Sequence, residues 1–425
     1  MLDRCFTFIL SYPSSTVAAI LQELSPRENA VVLDPFCGTG TTLLECKRRG
    51  IASIGIDANP VCVLATRVKT NWGVGITSIE RELTRVLHES RTEYRRFDRA
   101  RREAKIKGRY LHPTEWPSFA RSPRGRYLES SGLLQRNWIS PTPALKALIL
   151  AEEIARCEHP PARNLLLLAL LGLLVPEFSN LKYGPELYCN RRRMDAEVFD
   201  VFEDRVAELL DSIVAHRQGF PGSTCKSFLG NTIDGGLSRL STASVSHVIT
   251  SPPYPAEHDY TRMTRLELVF GGFVASANDL VRIKRAMIPS SSKNCYVDQP
   301  YYNSVKRFAT VRDLRGTIYT ESRSRTHGFA RVYPRLVGDY FGAMYEHLRR
   351  LRRCLKPGAT CAYIVGDQSS FFGIHIQTAL VLRRLLKSQK VGLEFLRSEV
   401  LKKNRPTART RNIPEIVMYF RKPRR

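Results

Sequence analysis

One short stretch decides the fold of this chain: Val31-Val32-Leu33-Asp34-Pro35-Phe36-Cys37-Gly38-Thr39-Gly40-Thr41-Thr42. It begins with a β-branched, apolar run, which is typical of a buried parallel strand. A turn rich in glycine and threonine follows, and residues 42–49 then have the composition of a helix that ends at Gly50. A strand that leads through a glycine turn into a helix is the first unit of a doubly wound α/β sheet.

The next elements repeat this order. Residues 51–56 predict a second strand that finishes at Asp57, and Asn59-Pro60 opens another helix. Glycines let a ligand approach the backbone closely, and the amino terminus of the first helix presents unpaired N–H groups to it. An acid at the tip of the second strand, about twenty residues after the glycines, suits hydrogen bonding to ribose hydroxyls. The alternative for Asp57 is a helix cap. The pattern therefore predicts a nucleotide-type cofactor site.

A second motif, Thr250-Ser251-Pro252-Pro253-Tyr254, follows an apolar strand predicted at 245–250. Two consecutive prolines hold the backbone extended and restrict the preceding serine as well. Such a rigid loop can fix hydrogen-bond acceptors where a planar amine donates its hydrogens, and the tyrosine offers a face on which a base extruded from a duplex can stack. The motif therefore indicates chemistry on the exocyclic amine of a nucleobase.

The two motifs resemble those of the amino-methylating DNA methyltransferases, and the resemblance covers 10–72, 228–273 and 337–421. It implies an α/β fold, with a Rossmann-like seven-stranded sheet and a large, mainly helical insertion. It also implies S-adenosylmethionine as cofactor and double-stranded DNA as substrate. The residues that it makes catalytic are Ser251, Pro252, Pro253 and Tyr254. Those that it places at the cofactor are Tyr12, Asp34, Phe36, Gly38, Thr39, Gly40, Thr41, Asp57 and Asn231, the last standing where the family usually has Asp.

The target base follows from the same resemblance. In this family a serine at the position of Ser251 is associated mainly with cytosine N4, whereas enzymes for adenine N6 more often carry aspartate there. Adenine N6 is therefore the first alternative. RNA guanine-N2 methylation is a second, although those enzymes favour aspartate too and usually carry an amino-terminal RNA-binding domain. A third is a non-catalytic DNA-binding protein on a methyltransferase scaffold. Cytosine methylation at a ring carbon is disfavoured, because no Pro-Cys dipeptide supplies the thiolate.

The composition supports a nucleic-acid partner. The 66 lysines and arginines outnumber the 40 acids, for a net charge of +26, which attracts a polyanion. The ten cysteines form no Cys-x-x-Cys pair, so no zinc site, other metal or redox pair is expected. Free thiols predict a reducing cytoplasm, and the resemblance predicts a prokaryotic, nucleoid-associated protein with a restriction endonuclease as a further partner. The longest apolar run, 165–175, stops at Pro176 and predicts a buried helix rather than a membrane span.

The length of 425 residues suits one catalytic domain with insertions, or two domains. We predict five segments: the first half of the cofactor domain at 1–74, a basic and helical insertion for target recognition at 75–225, the catalytic half at 226–274, an irregular basic insertion for DNA contact at 275–335, and the end of the sheet at 336–425.

Two regions of these segments leave alternatives open. The arginine-rich part, 80–126, is either a solvated, partly mobile arm or a DNA-contacting surface. The polar string after the catalytic loop either binds the flipped base and its phosphates or caps a helix; it contains His258, Asp259, Tyr260 and Arg262.

The predicted helices beyond the first two are 143–156, 162–174, 196–215, 337–355 and 374–387. The predicted closing strands are 360–365, 391–401 and 415–421.

Overall fold

The computed structural model describes residues 2–8, 11–184, 186–325, 328–404 and 413–424. The chain divides into two compact units. Unit 1 is mainly helical and comprises Met1–Ser11, Pro60–Phe220 and Thr261–Arg282. Unit 2 contains the large sheet and comprises Tyr12–Asn59, Pro221–Tyr260 and Ile283–Arg425.

The described residues contain nine strands and fifteen α-helices, besides short 3₁₀ and π turns. The strands are β1 (Val31–Asp34), β2 (Ala52–Asp57), β3 (Leu181–Lys182), β4 (Tyr188–Cys189), β5 (Cys225–Leu229), β6 (Val245–Thr250), β7 (Leu355–Gly366), β8 (Glu394–Asn404) and β9 (Ile413–Arg421). The helices are α1 (Ser14–Leu24), α2 (Thr41–Arg48), α3 (Pro60–Thr70), α4 (Ile76–Ile106), α5 (Pro117–Ala120), α6 (Pro123–Ser130), α7 (Pro141–Ala155), α8 (Pro160–Leu173), α9 (Val198–Gly219), α10 (Tyr260–Met263), α11 (Arg265–Phe270), α12 (Ala277–Ala286), α13 (Ala309–Arg323), α14 (Tyr333–Cys354) and α15 (Thr378–Leu386).

Unit 2 is built on a seven-stranded sheet in the order β5-β2-β1-β6-β7-β9-β8. The first five strands are parallel, and β9 runs antiparallel to both of its neighbours. The predicted Rossmann-like sheet is therefore confirmed. The edge strand β5 carries no sequence prediction, because its residues Cys-Lys-Ser-Phe-Leu form neither a continuous apolar run nor a regular alternation.

Both faces of the sheet are buried, because successive residues of a strand point to opposite faces. Val32 and Ile249 pack on one face with residues of α1 and α2, such as Val17 and Cys46. Their neighbours Leu33 and Val248 pack on the other face with residues of α14 and α15. This two-sided burial explains the continuous apolar runs Val31-Val32-Leu33 in β1 and Val248-Ile249 in β6, which can be recognised from sequence.

Unit 1 has α8 in its core. Leu166, Leu168 and Leu170 have no exposed surface, so the predicted buried helix is confirmed. Pro160–Phe178 is long and apolar enough to cross a membrane by length and composition, but 67% of its most apolar window is buried inside the protein. The short strands β3 and β4 form an antiparallel hairpin that the sequence did not predict.

Of the two alternatives for the arginine-rich part, 80–126, the mobile arm does not fit residues 80–106, which lie in the single helix α4. Its buried side chains include Ile79, Val86 and Phe97, within a stripe that recurs every three or four residues. Most of its other residues are charged, and several pair along the helix, as Arg101 does with Asp98 at 2.8 Å. The abundance of arginine hides this sparse apolar stripe in the sequence.

The stretch predicted to be irregular, 275–335, is also partly helical, since it contains α12 and α13. In α13 the residues Val311 and Ile318 are fully buried and lie two turns apart on one face. In contrast, the predicted helix 374–387 begins only at Thr378, because Ile376 pairs with Gln368 in an isolated antiparallel bridge.

Candidate active site

The two motifs lie side by side in unit 2. Strands β2 and β6 flank β1 and run parallel to it, so the carboxyl ends of all three meet at one edge of the sheet. The glycine loop follows β1, Asp57 ends β2, and the Ser-Pro-Pro-Tyr loop follows β6. We call this the carboxyl edge. In open α/β sheets, ligands bind at this edge.

Asp34 is the centre of a buried hydrogen-bond cluster at the root of the glycine loop. Its side chain has no exposed surface. One oxygen accepts from the hydroxyl of Thr250 at 2.6 Å and from the N–H of Phe36 at 3.1 Å. The other accepts from the hydroxyl of Tyr12 at 2.8 Å, and this hydroxyl also contacts Thr42. Burial raises the pKa of Asp34, whereas hydrogen bonds from Thr250, Thr42, Tyr12 and Phe36 act against that rise. Both predicted cofactor residues, Tyr12 and Asp34, therefore brace the loop.

The glycine loop needs glycine for its backbone conformation. Gly38 has φ +49° and Gly40 has φ +83°, both in the left-handed region that L side chains rarely adopt. Gly40 caps the amino terminus of α2, and Thr41 is the first residue of that helix. Thr39 is buried between the two glycines. The N–H groups of the first turn of α2 therefore face the loop, as the helix start of a ligand-binding turn does.

Asp57 is half-buried at the tip of β2 and is bonded by two backbone donors. Its carboxylate accepts from the N–H of Gly38 at 2.9 Å and from that of Asn59 at 2.8 Å. Burial raises its pKa to about 6, while the two backbone hydrogen bonds act against the rise and nearby Asp34 adds to it. A carboxylate has about four lone-pair sites, so Asp57 keeps acceptor capacity beside these backbone bonds. The residue thus combines the cap predicted as an alternative with the acceptors that a ribose requires.

Phe36 presents its ring beside the glycine loop. The ring lies 4.8 Å, centroid to centroid, from the imidazole of His347 on α14. Burial lowers the pKa of His347 to about 3, so this imidazole is neutral, and one ring nitrogen lies 2.8 Å from the hydroxyl of Tyr363. The ring of Phe36 therefore packs against a neutral imidazole, and nothing in the sequence around Phe36 indicates this contact.

Asn231 forms a local turn after β5. Its side-chain oxygen accepts from the N–H of Ile233 at 2.7 Å, and its amide donates to Asp234 at 3.1 Å. The backbone N–H of the preceding Gly230 donates to the carbonyl of Asp57 at 2.9 Å. The structure thus brings Asn231 close to the cofactor loop, with its side chain engaged in the turn.

The catalytic loop contains a chain of three polar side chains. The hydroxyl of Ser251 lies 3.2 Å from the hydroxyl of Tyr254, which donates to the carboxylate of Glu415 at 3.0 Å. Burial, followed by the charge of Glu415, raises the pKa of Tyr254 well above its ordinary value, so its hydroxyl stays protonated. Pro252 is buried and Pro253 is half-buried. Glu415 lies on β9, opposite Gly366 of β7, and no sequence pattern marked it.

The ring of Tyr254 packs against the end of β7. A Cβ added at Gly366 would lie 3.0 Å from a ring carbon, so only glycine leaves room there. The backbone N–H of Tyr254 donates a hydrogen bond to the hydroxyl of Tyr260 at 3.3 Å. One residue beyond Gly366, the buried Asp367 accepts from the N–H of Thr378 at 3.0 Å and lies 3.1 Å from a ring nitrogen of His375. Tyr260 belongs to the polar string that the sequence singled out, whereas Gly366 and Asp367 lie more than one hundred residues from the motif, so no sequence pattern marked them.

The polar string after the catalytic loop is held by the stretch 284–292. Lys284 pairs with Asp259 at 2.9 Å, with both side chains mostly buried. The carbonyl of His258 accepts from Ser290, and the carboxylate of Glu257 accepts from the N–H and hydroxyl of Ser292 at 2.8 and 3.0 Å. Arg262 belongs instead to unit 1, where it pairs with Glu186 at 3.5 Å.

Within the described residues, no group of three or more His, Cys, Asp and Glu side chains has the geometry to hold a metal ion. All ten cysteines lie in these residues, and none forms a disulfide. Burial raises the pKa of the Cys46 and Cys361 thiols, so these two cysteines pack as apolar groups.

Several known proteins are similar to this chain in sequence. The N6/N4 methyltransferase family, described as DNA methylase, matches residues 7–66, which include the glycine loop. The Type II methyltransferase M.AvaI of a Nostoc species is 21% identical over 450 positions, covering 99% of this chain and 84% of its own. M.BsoBI of Geobacillus stearothermophilus is 22% identical over 434 positions, covering 93% and 79%. M.MjaII of Methanocaldococcus jannaschii is 51% identical over 39 residues, 9% of this chain and 7% of its own. Together with the sheet order and the two motifs at its carboxyl edge, these matches support a likeness of the chain to the N6/N4 amino-methyltransferase family of DNA methylases.

Proposed function

We propose that this protein transfers a methyl group from S-adenosylmethionine to the N4 amine of cytosine at a specific site in double-stranded DNA. The base is flipped into the carboxyl edge of unit 2 and forms no covalent bond with the enzyme. The observation that carries the proposal is the hydrogen-bonded chain Ser251, Tyr254 and Glu415 beside the glycine loop.

The direction of the hydrogen bonds in this chain makes Ser251 an acceptor for the target amine. Tyr254 has one hydroxyl hydrogen, and Glu415 receives it. In the 3.2 Å contact between the two hydroxyls, Ser251 must therefore be the donor. Both lone pairs of its oxygen remain for the amine N–H groups. A serine with this geometry can accept hydrogens from a flipped base, and no proton abstraction is required of it at the start.

The chain's own residues then do three things. Ser251 and the carbonyls of the proline loop draw the amine out of conjugation and stabilise the positive charge that develops on it. Tyr254 supplies a ring for stacking, held in place by Glu415 and Gly366. Asp57 and the glycine loop orient the cofactor through its ribose and polar groups. When bound, S-adenosylmethionine supplies the electrophilic methyl group.

The rest of the proposal concerns DNA recognition and context. We assign target recognition to the helical insertion, 75–225, and DNA contact to 275–335, on the basis of their many basic side chains. His258, Asp259, Tyr260 and Arg262 are proposed to contact the flipped base or its phosphates. Since the matched relatives are Type II methyltransferases, we further propose a restriction endonuclease of the same specificity as partner, in a prokaryotic cytoplasm.

The second candidate is adenine N6, because its amine also sits beside a ring nitrogen and donates the same hydrogens. The acceptor geometry of Ser251 serves both amines. Only the identity of residue 251 favours cytosine, through the family association. The choice of base is therefore the point that the first experiment addresses.

The experiment is nucleoside mass spectrometry of DNA incubated with the purified protein and isotopically labelled S-adenosylmethionine. We expect labelled N4-methylcytosine from the wild-type protein. The variants Ser251→Ala and Tyr254→Ala are expected to lose methyl transfer while binding S-adenosylmethionine nearly as tightly as the wild type, measured by calorimetry. Ser241→Ala, in a loop away from the motif, is the matched control and keeps full activity.

Each alternative result has a definite meaning. Labelled N6-methyladenine keeps the fold, cofactor and mechanism but overturns the assignment of the base. Label on RNA alone moves the substrate to the RNA class. Saturable cofactor binding without label on either nucleic acid contradicts the proposed acceptor, and the absence of any cofactor binding indicates a non-catalytic scaffold.

A further inference from the structure

A large basic cavity lies in unit 2 away from the motifs. Its volume is about 840 Å³, and among the described residues seven lysines and arginines line it with a single acid, Glu346. The cations come from four places: the stretch before α13, the last turns of α14, the loop after α15 and the end of β9. The cavity has the size of a small-molecule site, whose usual range is about 300–1,000 Å³.

The cavity lies at the opposite edge of the sheet from the active site. It is lined by Thr242, which precedes β6, and by Lys422, which follows β9. The last residue of β9, Arg421, pairs with Thr360 in the first half of β7. The active-site loop leaves β6 at its other end, after Thr250. Strand β6 alone spans roughly 17 Å, at about 3.3 Å per residue. The cavity therefore forms a site of its own, which we call the amino-edge pocket.

The positive charge of the amino-edge pocket is almost uncompensated. Among the described residues, only Arg349 of the seven cations has a carboxylate partner, Glu346 at 2.8 Å. Lys306, Arg352 and Lys390 are exposed and form no ion pair with any described residue. Elsewhere the arginines more often pair, as in α4 with Glu82, Glu93 and Asp98. Six unpaired cations around one cavity repel each other, and an anion relieves that repulsion.

Several of these cations are held in position by neutral acceptors. Arg353 donates to the carbonyls of Leu237 and Leu240 at 2.8 and 2.9 Å. Lys422 donates to the carbonyls of Arg352 and Leu355 at 3.2 and 2.8 Å. Burial and the neighbouring Arg352 lower the pKa of Lys422. Cations held by carbonyls are fixed in position without a neutralising counter-charge, and they lose little side-chain entropy when an anion binds.

Arg307 also lines the pocket, and its guanidinium is held in place by neighbouring side chains. Its guanidinium donates to the hydroxyl of Tyr345 at 2.8 Å and to that of Ser388 at 3.2 Å, and it lies 5.1 Å from the ring centroid of Phe308. Both of these hydrogen bonds come from Nη2, so the Nη1 hydrogens remain to donate to a phosphate oxygen.

We propose that the amino-edge pocket binds a run of phosphate groups, independently of the active site. One carboxylate or sulfate cannot meet cations that line several sides of an 840 Å³ cavity, whereas linked phosphates can. The phosphates come either from a segment of DNA backbone or from a free polyphosphate, and the chemistry that recognises them is the same. The inference goes beyond methyl transfer and does not depend on the choice of target base.

The test compares two variants that each remove three positive charges. The pocket variant is Lys306→Gln, Arg352→Gln and Lys390→Gln, at exposed positions whose side chains make no ion pair in the described residues. The control variant is Arg27→Gln, Arg323→Gln and Lys387→Gln, exposed cations of unit 2 outside the pocket. Thermal unfolding midpoints within about 2 °C of the wild type establish that both variants fold.

Two measurements follow on each full-length protein. Calorimetry with inorganic tripolyphosphate is expected to show saturable binding that weakens at least tenfold in the pocket variant and less than twofold in the control. Binding of a duplex at several salt concentrations reports the number of phosphate contacts, since each contributes about 0.9 to the slope of log K against log salt. If DNA backbone fills the pocket, the slope falls by about 2 to 3 in the pocket variant only.

A change confined to tripolyphosphate assigns the pocket to a free polyphosphate, and a change in the salt slope assigns it to DNA. The proposal is overturned if the pocket and control variants behave alike in both measurements. These readouts involve neither S-adenosylmethionine nor methyl transfer, so failure of the proposed function leaves them interpretable.

Discussion

The hydroxyl of Thr250 donates a 2.6 Å hydrogen bond to Asp34, and this contact joins the two motifs at their roots. Asp34 immediately precedes the Pro-Phe-Cys-Gly turn, and Thr250 immediately precedes Ser251. Both side chains are fully buried. Because the bond links adjacent parallel strands just before each loop begins, it sets the position of the proposed methyl acceptor relative to the cofactor loop.

We expect Thr250→Val to uncouple the two loops. The change keeps the shape of the side chain but leaves one oxygen of Asp34 with only the N–H of Phe36. Loss of a partner from a buried carboxyl costs about 1 to 3 kcal/mol. Chemical denaturation should show that loss, and calorimetry should show weaker S-adenosylmethionine binding. Thr250→Ser restores the hydroxyl and is expected to recover most of the lost stability and most of the lost S-adenosylmethionine affinity. Equal losses in the two variants would contradict a role for the hydrogen bond.

Glu415 is expected to act as a positioning residue for Tyr254. Glu415→Ala removes the acceptor that holds the tyrosine hydroxyl, so kcat should fall about 10- to 100-fold while KM for S-adenosylmethionine stays unchanged. Glu415→Gln retains an oxygen that accepts the same hydrogen bond and should keep kcat within about threefold of the wild type. Steady-state methylation kinetics measure both.

The matched control for these kinetics is Glu399→Ala, an acid on the neighbouring strand β8 that pairs with Arg397 at 2.6 Å. Glu399→Ala should leave kcat and KM for S-adenosylmethionine unchanged. Equal losses in Glu415→Ala and Glu415→Gln would mean that the negative charge matters rather than the position of the tyrosine.

The binding of S-adenosylmethionine is expected to weaken in acid through Asp57. Its pKa is raised to about 6, so the carboxylate is neutral below that pH and charged above it. The charged form is the better acceptor for ribose hydroxyls. Calorimetry from pH 7.5 to 5 should show Kd rising by up to about tenfold per pH unit below 6. Asp57→Asn should bind more weakly with little pH dependence, and a slope as steep as that of the wild type would assign the effect to another group, such as Asp34.

Glu267 on α11 is expected to make the stability of the protein depend on pH. It is 1% exposed, one of its oxygens has no hydrogen-bond partner among the described residues, and burial raises its pKa to about 8. The folded state therefore holds this proton more strongly than the unfolded chain, whose glutamate titrates near 4.3. The resulting stability is complete below the unfolded pKa and is lost as pH rises through 8.

Glu267→Gln should thus leave stability unchanged near pH 4 and increase it at pH 9, by on the order of 5 kcal/mol. Thermal unfolding across this range measures the difference. Glu103→Gln, an exposed acid of α4, is the control and should show a constant difference from the wild type. A similar constant difference for Glu267→Gln would mean that this carboxyl remains ionised in the folded protein.

The sequence by itself determined the fold class and the location of both motifs. Val31 to Leu33 and Val248 to Ile249 are apolar because both faces of their strands are covered, and such runs can be recognised in the sequence alone. Gly38 and Gly40 are required by the dihedral angles of the turn itself. These are properties of residues that follow one another in the chain, so they can be recognised from the sequence alone.

Charge-rich helices were only partly predictable. The stripe of α4, with Ile79, Val86 and Phe97 buried, is spread thinly among arginines and acids. Most of the stability of such a helix comes from tertiary packing of that stripe rather than from propensity. Its composition therefore matched a solvated arm as well as a helix, and only its packing within unit 1 distinguished them.

Tertiary structure alone decided how the candidate site is supported. Thr250 lies 216 residues from Asp34, and Glu415 lies 161 residues from Tyr254. Each pair meets because the order and register of the sheet bring particular strand ends together. The amino-edge pocket likewise collects Lys306, Arg352 and Lys422 from separate elements. Local patterns reflect what each segment requires of its own backbone, whereas contacts between segments depend on the packing of the whole unit.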